Sequence, residues 1–183
     1  MTTNAIAEKT AKATFAAGCF WCIEKPFDHT DGVLKTTVGY TGGHTPNPTY
    51  KEVSGGASGH IEAIEVEYDP NKVTYTQLLD IFWKNIDPTQ ADGQFCDMGK
   101  QYRSAIFTHN ASQKELATTS REALDQSGVL KSKIVTELIP ASTFYAAEDY
   151  HQDYYLKNPL RYNYYRYRCG RDQRLEELWG TLK

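Results

Sequence analysis

The sequence carries no excess of positive charge. Its 20 Lys and Arg face 23 Asp and Glu, a formal net charge of −3 at pH 7. A general nucleic-acid binder shows a basic domain or face, so this balance argues against one. Long apolar runs are missing as well. The longest uncharged stretch near the N-terminus, Ala13 to Ile23, is far short of the about 20 residues needed to cross a bilayer. Residues 1–13 read as a polar tail, in which Glu8, Lys9 and Lys12 interrupt any apolar segment of an export signal. Ala16-Ala17-Gly18-Cys19 has the small residues of a lipoprotein cleavage site but not the apolar stretch that precedes one. The expected compartment is therefore the reducing cytoplasm, with Cys19, Cys22, Cys96 and Cys169 as thiols rather than a disulfide framework. No repeat, low-complexity block or linker divides the 183 residues, a length that fits one domain. With 13% aromatic residues and balanced charge, the chain is not disordered.

The pattern predicts alternating strands and helices. Thr14 to Gly18 reads as a strand, and Cys19 opens the first turn of a helix. Gly32 to Gly39 and Ile61 to Tyr68 read as further strands, the latter with Glu62, Ile64, Val66 and Tyr68 on one face. Thr74 with Gln77 and Ser112 with Glu115 form two capping boxes, each opening a helix. Tyr102 to Thr108 and Ile134 to Ile139 read as strands, Ala146 to Leu156 as a helix, and Arg171 to Leu182 as a terminal helix. A Gly- and Pro-rich loop begins after Gly42, and residues 89–100 form a second, polar loop. The whole reads as an α+β domain, helices on a mixed, mostly antiparallel sheet.

Two places carry chemistry. The first is Gly18-Cys19-Phe20-Trp21-Cys22. A cysteine between a strand end and a helix start faces unpaired backbone N–H groups and the positive end of the helix dipole, which favour its thiolate. A reactive nucleophile, a Cys-x-x-Cys disulfide couple and a pair of packed core cysteines all fit this placement. Zinc fits poorly, because neither Cys96 nor Cys169 has a nearby Cys or His to complete a second ligand pair. The second is Glu62. If its strand face is the core, desolvation drives the carboxyl toward its neutral form, which can donate a proton near pH 7. If the position is an edge, it is an ordinary solvated carboxylate. Bland readings suffice elsewhere: His60 is structural, His151 is a packed or capping residue, and the Tyr- and Arg-rich stretch Arg161 to Arg168 mimics an RNA-binding segment without the net charge for it.

These fragments together resemble the peptide-methionine (S)-S-oxide reductase (MsrA) family. Gly-Cys-Phe-Trp-Cys-Ile-Glu at 18–24 resembles its signature, followed in order by Gly39-Tyr40-Thr41-Gly42-Gly43, Pro48-Thr49-Tyr50, Gly59-His60-Ile61-Glu62 and Asp87-Pro88-Thr89. Gly93-Gln94-Phe95-Cys96-Asp97, Gln101-Tyr102-Arg103-Ser104 and Ala147-Glu148-Asp149-Tyr150-His151-Gln152 continue it, over residues 14–160. The resemblance implies a two-layer sandwich with a ferredoxin-like core, a catalytic domain at 14–160, and a C-terminal tail at 161–183 carrying a recycling cysteine. It places Cys19 as the nucleophile toward the sulfoxide sulfur and Glu62 as the acid for its oxygen. Tyr50 and Tyr102 fall on hydroxyls that bond that oxygen, Asp97 on a pocket carboxylate, and Phe20 and Trp21 on the wall holding the substrate methyl. It implies no bound cofactor and no metal, thioredoxin or another dithiol as reductant, free or protein-bound methionine S-sulfoxide as substrate, and a monomer. Cys22 stands where many members have glycine, so the resolving thiol is Cys169, on an arm taken to be mobile, with Cys22 as the alternative. Cys96 is expected to be structural.

Overall fold

A computed structural model describes residues 10–180; residues 1–9 of the expected tail and Leu182 of the expected terminal helix lie outside them. In chain order the elements are β1 (Ala11–Ala17), α1 (Phe20–Asp28), β2 (Val33–Thr41), α2 (Tyr50–Ser54), β3 (Ile61–Tyr68), α3 (Tyr75–Lys84), β4 (Gly93–Gln94) and β5 (Asp97–Met98). Then follow β6 (Ser104–Thr108), α4 (Ala111–Gln126), β7 (Glu137–Pro140), β8 (Tyr145–Ala146), α5 (Tyr154–Lys157), α6 (Pro159–Arg168) and α7 (Arg171–Trp179).

Six strands form one sheet in the order β7-β6-β1-β3-β2-β8, antiparallel throughout except for the parallel pair β6/β7. The expected α+β class with a mostly antiparallel sheet is the observed one. β1 sits in the middle, and its period-two pattern divides the core. Ala13, Phe15 and Ala17 pack with α1 and α3, while Ala16 joins Ile61, Ala63, Ala105 and Phe107 on the other face. Phe15 lies stacked between Phe27 at 5.3 Å and Phe82 at 5.2 Å. Phe15→Ala is expected to cost about 3–5 kcal/mol through lost burial and the cavity left behind. In a domain of this size that lowers the melting temperature by roughly 6–20 °C. Thermal unfolding followed by circular dichroism checks it, and a drop below about 3 °C would show that the aromatic stack repacks.

Several local expectations need correction. α4 is capped by Asn110, not Ser112; the Asn110 side chain accepts from Gln113 N at 2.9 Å, so the helix starts earlier. Residues 146–156 are not one helix. Gln152 is drawn onto the sheet, accepting from Val38 N and donating to Val38 O, each at 2.9 Å, and Asp153 takes a left-handed conformation, φ 54°. The chain there forms β8, a 3-10 turn at Asp149–His151 and α5 instead. The strand expected from Tyr102 starts at Ser104, after a 3-10 turn at Lys100–Tyr102. Beyond residue 160 the chain forms α6 and α7. Arg171 docks them: it is 1% exposed, donates to Ala17 O at 3.0 Å and Asn85 O at 2.8 Å, and lies 4.4 Å over the Phe95 ring. Nor are all four cysteines thiols, because Cys96 and Cys169 form a disulfide.

Candidate active site

Cys19 caps the N-terminus of α1, one residue after β1 turns at Gly18. That turn has φ +79°, and a Cβ at Gly18 would stand 2.5 Å from Gln94 Cβ, so both the backbone and the neighbour require glycine. The turn sets Cys19 above the sheet, 7% exposed, facing the start of β3. There Glu62 is 2% exposed and accepts from Phe20 N at 3.1 Å. Of the two sequence readings for Glu62, burial holds. The central place of β3 between β1 and β2 desolvates the carboxyl and, with the charges of Asp97 and Cys22, pushes it up to about 8 against the Phe20 N–H.

Tyr50 begins α2 and Tyr102 ends the 3-10 turn before β6. Their side chains are hydrogen-bonded to each other. Burial and the nearby charges of Glu62 and Cys19 keep both phenols protonated, Tyr50 being pushed up to about 12. Phe20 is buried against Tyr40 and His151. Trp21 stacks on Tyr154 at 3.8 Å and donates through Nε1 to His151 Nδ1 at 2.9 Å. His151 is therefore a buried packing and acceptor residue. His60 is held by Gly43 N at 3.1 Å and Thr45 O at 2.7 Å, away from the cysteines.

The thiols do not share charge as the helix dipole alone predicts. Burial, the hydrogen bond to Cys22, and the carboxylates of Glu62 and Asp97 push Cys19 well up. Cys22 is drawn below the ordinary thiol range by the hydrogen bond from Cys19 and by Arg171 and Arg166. Burial and the shared hydrogen bond thus favour the proton on Cys19 over Cys22. Asp97, on β5, accepts from the Tyr165 hydroxyl, and its Oδ2 lies 4.0 Å from Cys169 Sγ.

The predicted residues Cys19, Cys22, Phe20, Trp21, Glu62, Tyr50, Tyr102, Asp97 and Cys169 therefore gather at one place. Sequence reasoning missed Tyr165, Arg166 and Arg171. Tyr165 meets Trp21 edge-on at 6.0 Å, Arg166 donates to Cys22 O at 3.4 Å, and Arg171 is the buried cation near Cys22. One signal was available: Tyr165 and Cys169 are four apart on α6, so they share a helix face.

A family model described as Peptide methionine sulfoxide reductase matches residues 11–183. The Peptide methionine sulfoxide reductase MsrA of Bacillus licheniformis is 51% identical over 175 residues, 96% of this chain and 97% of that protein. Among solved structures, Mxr1 from Saccharomyces cerevisiae in reduced form has a TM-score of 0.76 at 37% identity, covering 83% of this chain and 87% of that one. Mxr1 in complex with Trx2 has a TM-score of 0.55 at 28% identity, covering 81% and 86%. With a family match along the described chain, half the residues shared with a full-length relative, and the same fold in solved structures, the chain belongs to the peptide methionine sulfoxide reductase (MsrA) family and is an oxidoreductase.

Proposed function

We propose that this chain reduces methionine S-sulfoxide, free or in proteins, with Cys19 as nucleophile. The observation that carries the reading is Glu62, a buried carboxyl pushed up to about 8 beside the Cys19 N-cap turn. The proton that Cys19 shares with Cys22 passes to Cys22, freeing the Cys19 thiolate to attack the sulfoxide sulfur. Glu62 protonates the oxygen, while the Tyr50 and Tyr102 hydroxyls donate hydrogen bonds to it. Phe20 and Trp21 offer an apolar wall to the substrate methyl. The sulfoxide sulfur gains two electrons and leaves as methionine; the Cys19 sulfur loses them and keeps the oxygen as a sulfenic acid. Asp97 stays as a pocket carboxylate bonded to Tyr165. Among the described residues Cys22 is the thiol hydrogen-bonded to Cys19, whereas Cys169 is bonded to Cys96. This favours Cys22 for the first disulfide and leaves Cys169 a later exchange. A thioredoxin-type dithiol completes the cycle, as the Mxr1–Trx2 complex suggests for a relative.

The test is a coupled assay on a racemic methionine sulfoxide peptide. Consumption is expected to stop at half conversion, with one epimer untouched. Consumption of both epimers, or of neither, would defeat the reading.

A further inference from the structure

Glu24 is a buried carboxyl that the sulfur chemistry leaves unused. It stands on the second turn of α1 and is 1% exposed. Its Oε1 accepts from Asp153 N at 3.0 Å, and the Tyr154 N–H also faces the carboxyl. Its Oε2 is buried and has no hydrogen-bond partner. A carboxylate taken out of water is costly unless a positive group pairs with it, so this oxygen lacks a partner it needs. What surrounds it is negative instead. Asp28 lies one helical turn further along α1, and Asp153 comes in from the turn before α5. One carboxylate oxygen from each of the three lies within 4.8 Å of the others. The charges of Asp28 and Asp153 both bear on Glu24. Among the described residues, no Lys, Arg or His forms an ion pair with any of the three.

The fold nevertheless holds the trio together. Asp28 Oδ1 accepts from the Thr36 hydroxyl and Oδ2 from the Tyr155 hydroxyl at 3.0 Å. Those bonds fix the carboxylate and leave each oxygen a further lone pair. Asp153 takes a left-handed conformation, φ 54°, which aspartate tolerates better than most residues. Its N–H thereby reaches Glu24 while its side chain stays exposed. Asp28 and Asp153 also line a surface cleft of about 480 Å³, shared with Asp149 and Lys35, which gives an ion a way in from solvent.

We propose that Glu24, Asp28 and Asp153 form a binding site for a hard divalent cation, and that the ion is calcium. The donors are all carboxylate oxygens, with no Cys or His among them, which suits a hard cation rather than zinc or copper. Calcium takes oxygens at about 2.3–2.6 Å in irregular geometry, so two oxygens on one ion lie up to about 5 Å apart, a span these three satisfy. Magnesium demands a near-ideal octahedron and gives up its water reluctantly, which three carboxylates on two separate elements serve less well. Water from the cleft completes the calcium shell. The ion neutralises Glu24 Oε2 and ties the end of α1 to the turn that opens α5. These are the two elements whose Trp21 and Tyr154 stack at 3.8 Å. The site does not depend on which thiol attacks the substrate.

The experiment uses the full chain, stripped with a chelator and desalted. Calcium, magnesium and sodium chlorides are added at matched ionic strength, and binding is followed by calorimetry and thermal unfolding. Calcium is expected to bind at a single site and, at about a hundredfold its dissociation constant, to raise the melting temperature by about 5–10 °C. Magnesium gives a smaller shift and sodium none. Asp153→Asn keeps the left-handed turn, which asparagine also tolerates, and weakens calcium binding at least about tenfold. Glu24→Gln keeps the side-chain volume and the acceptor for Asp153 N, and loses the calcium-dependent shift whatever its own melting temperature. Glu122→Gln, exposed on α4, keeps the wild-type shift. A wild type with neither binding heat nor a calcium-dependent shift would overturn the site. So would a shift that survives in both Asp153→Asn and Glu24→Gln, and an equal shift with magnesium would overturn the choice of calcium. Loss of methionine sulfoxide reduction would count against the proposed function alone, because the calcium titration reads no turnover.

Discussion

Cys19→Ser is expected to release no methionine, not even one equivalent per chain in a single turnover. A hydroxyl near neutral pH is a far weaker nucleophile than a thiolate, and the fall should reach the uncatalysed background. The comparison is sharp because the variant still holds a second sulfur. Cys22 keeps its place beside Arg171 and Arg166 when Cys19 is gone, so a sulfur stays in the site. If Cys22 were the sulfur that attacks, Cys19→Ser would still give one methionine. Single-turnover release of methionine, measured by chromatography, decides between them, and a stoichiometric burst would move the nucleophile from Cys19. Cys22→Ser should give the opposite pattern: one methionine in the burst, followed by slow recycling.

This pair shows where local sequence reasoning stops. The strand-to-helix turn was legible from Gly18-Cys19, and the dipole argument for a Cys19 thiolate is sound for an isolated helix. The sign is reversed first by burial and by the hydrogen-bonded Cys22, with Glu62 and Asp97, 43 and 78 residues along the chain, adding to it. A buried thiol keeps its proton. No spacing rule reports that burial, because the cover is brought in by the fold, with β3 beside β1.

The fold divides in the same way. β3 was legible residue for residue, since period-two apolar positions end at Asp69-Pro70. α3 was legible from Thr74 and Gln77, whose reciprocal capping bonds are present. α4 was read late because Ser112 and Glu115 carry the right spacing, while the nearby Asn110 has the extended backbone that lets its side chain take the cap. The break in residues 146–156 depends on Val38, a partner 114 residues from Gln152. The Cys96–Cys169 bond spans 73 residues and leaves no periodic trace. The resemblance to a family supplied most of the site membership; the charge states and the disulfide came from three-dimensional neighbours.

Glu62→Gln is expected to slow methionine formation by about 10²–10⁴-fold, the usual contribution of a positioned general acid. The amide keeps the wild-type volume and can still accept the Phe20 N–H, so the α1 turn stays in place. It cannot give a proton to the sulfoxide oxygen. The pH dependence makes the test specific. In the wild type the acid is present below about 8 and is lost as pH rises through that value, so the chemical step declines on the alkaline side. In the variant that decline disappears. Stability should move the other way. The unfolded carboxyl releases its proton near its ordinary value of 4.5, whereas the folded one holds it to about 8. Folding therefore binds a proton between these values, and the stabilisation present below 4.5 is lost as pH climbs to 8. Glutamine has no proton to lose, so Glu62→Gln should gain stability relative to the wild type across that window and melt higher at its alkaline end. A variant that is slower and, at pH 8, more stable is the signature of a carboxyl held neutral at a folding cost for the sake of catalysis. Single-turnover rates and melting temperatures from pH 5 to 9 measure both, over the range in which folding binds the proton. A rate change below about threefold with the alkaline decline intact would remove Glu62 as the acid.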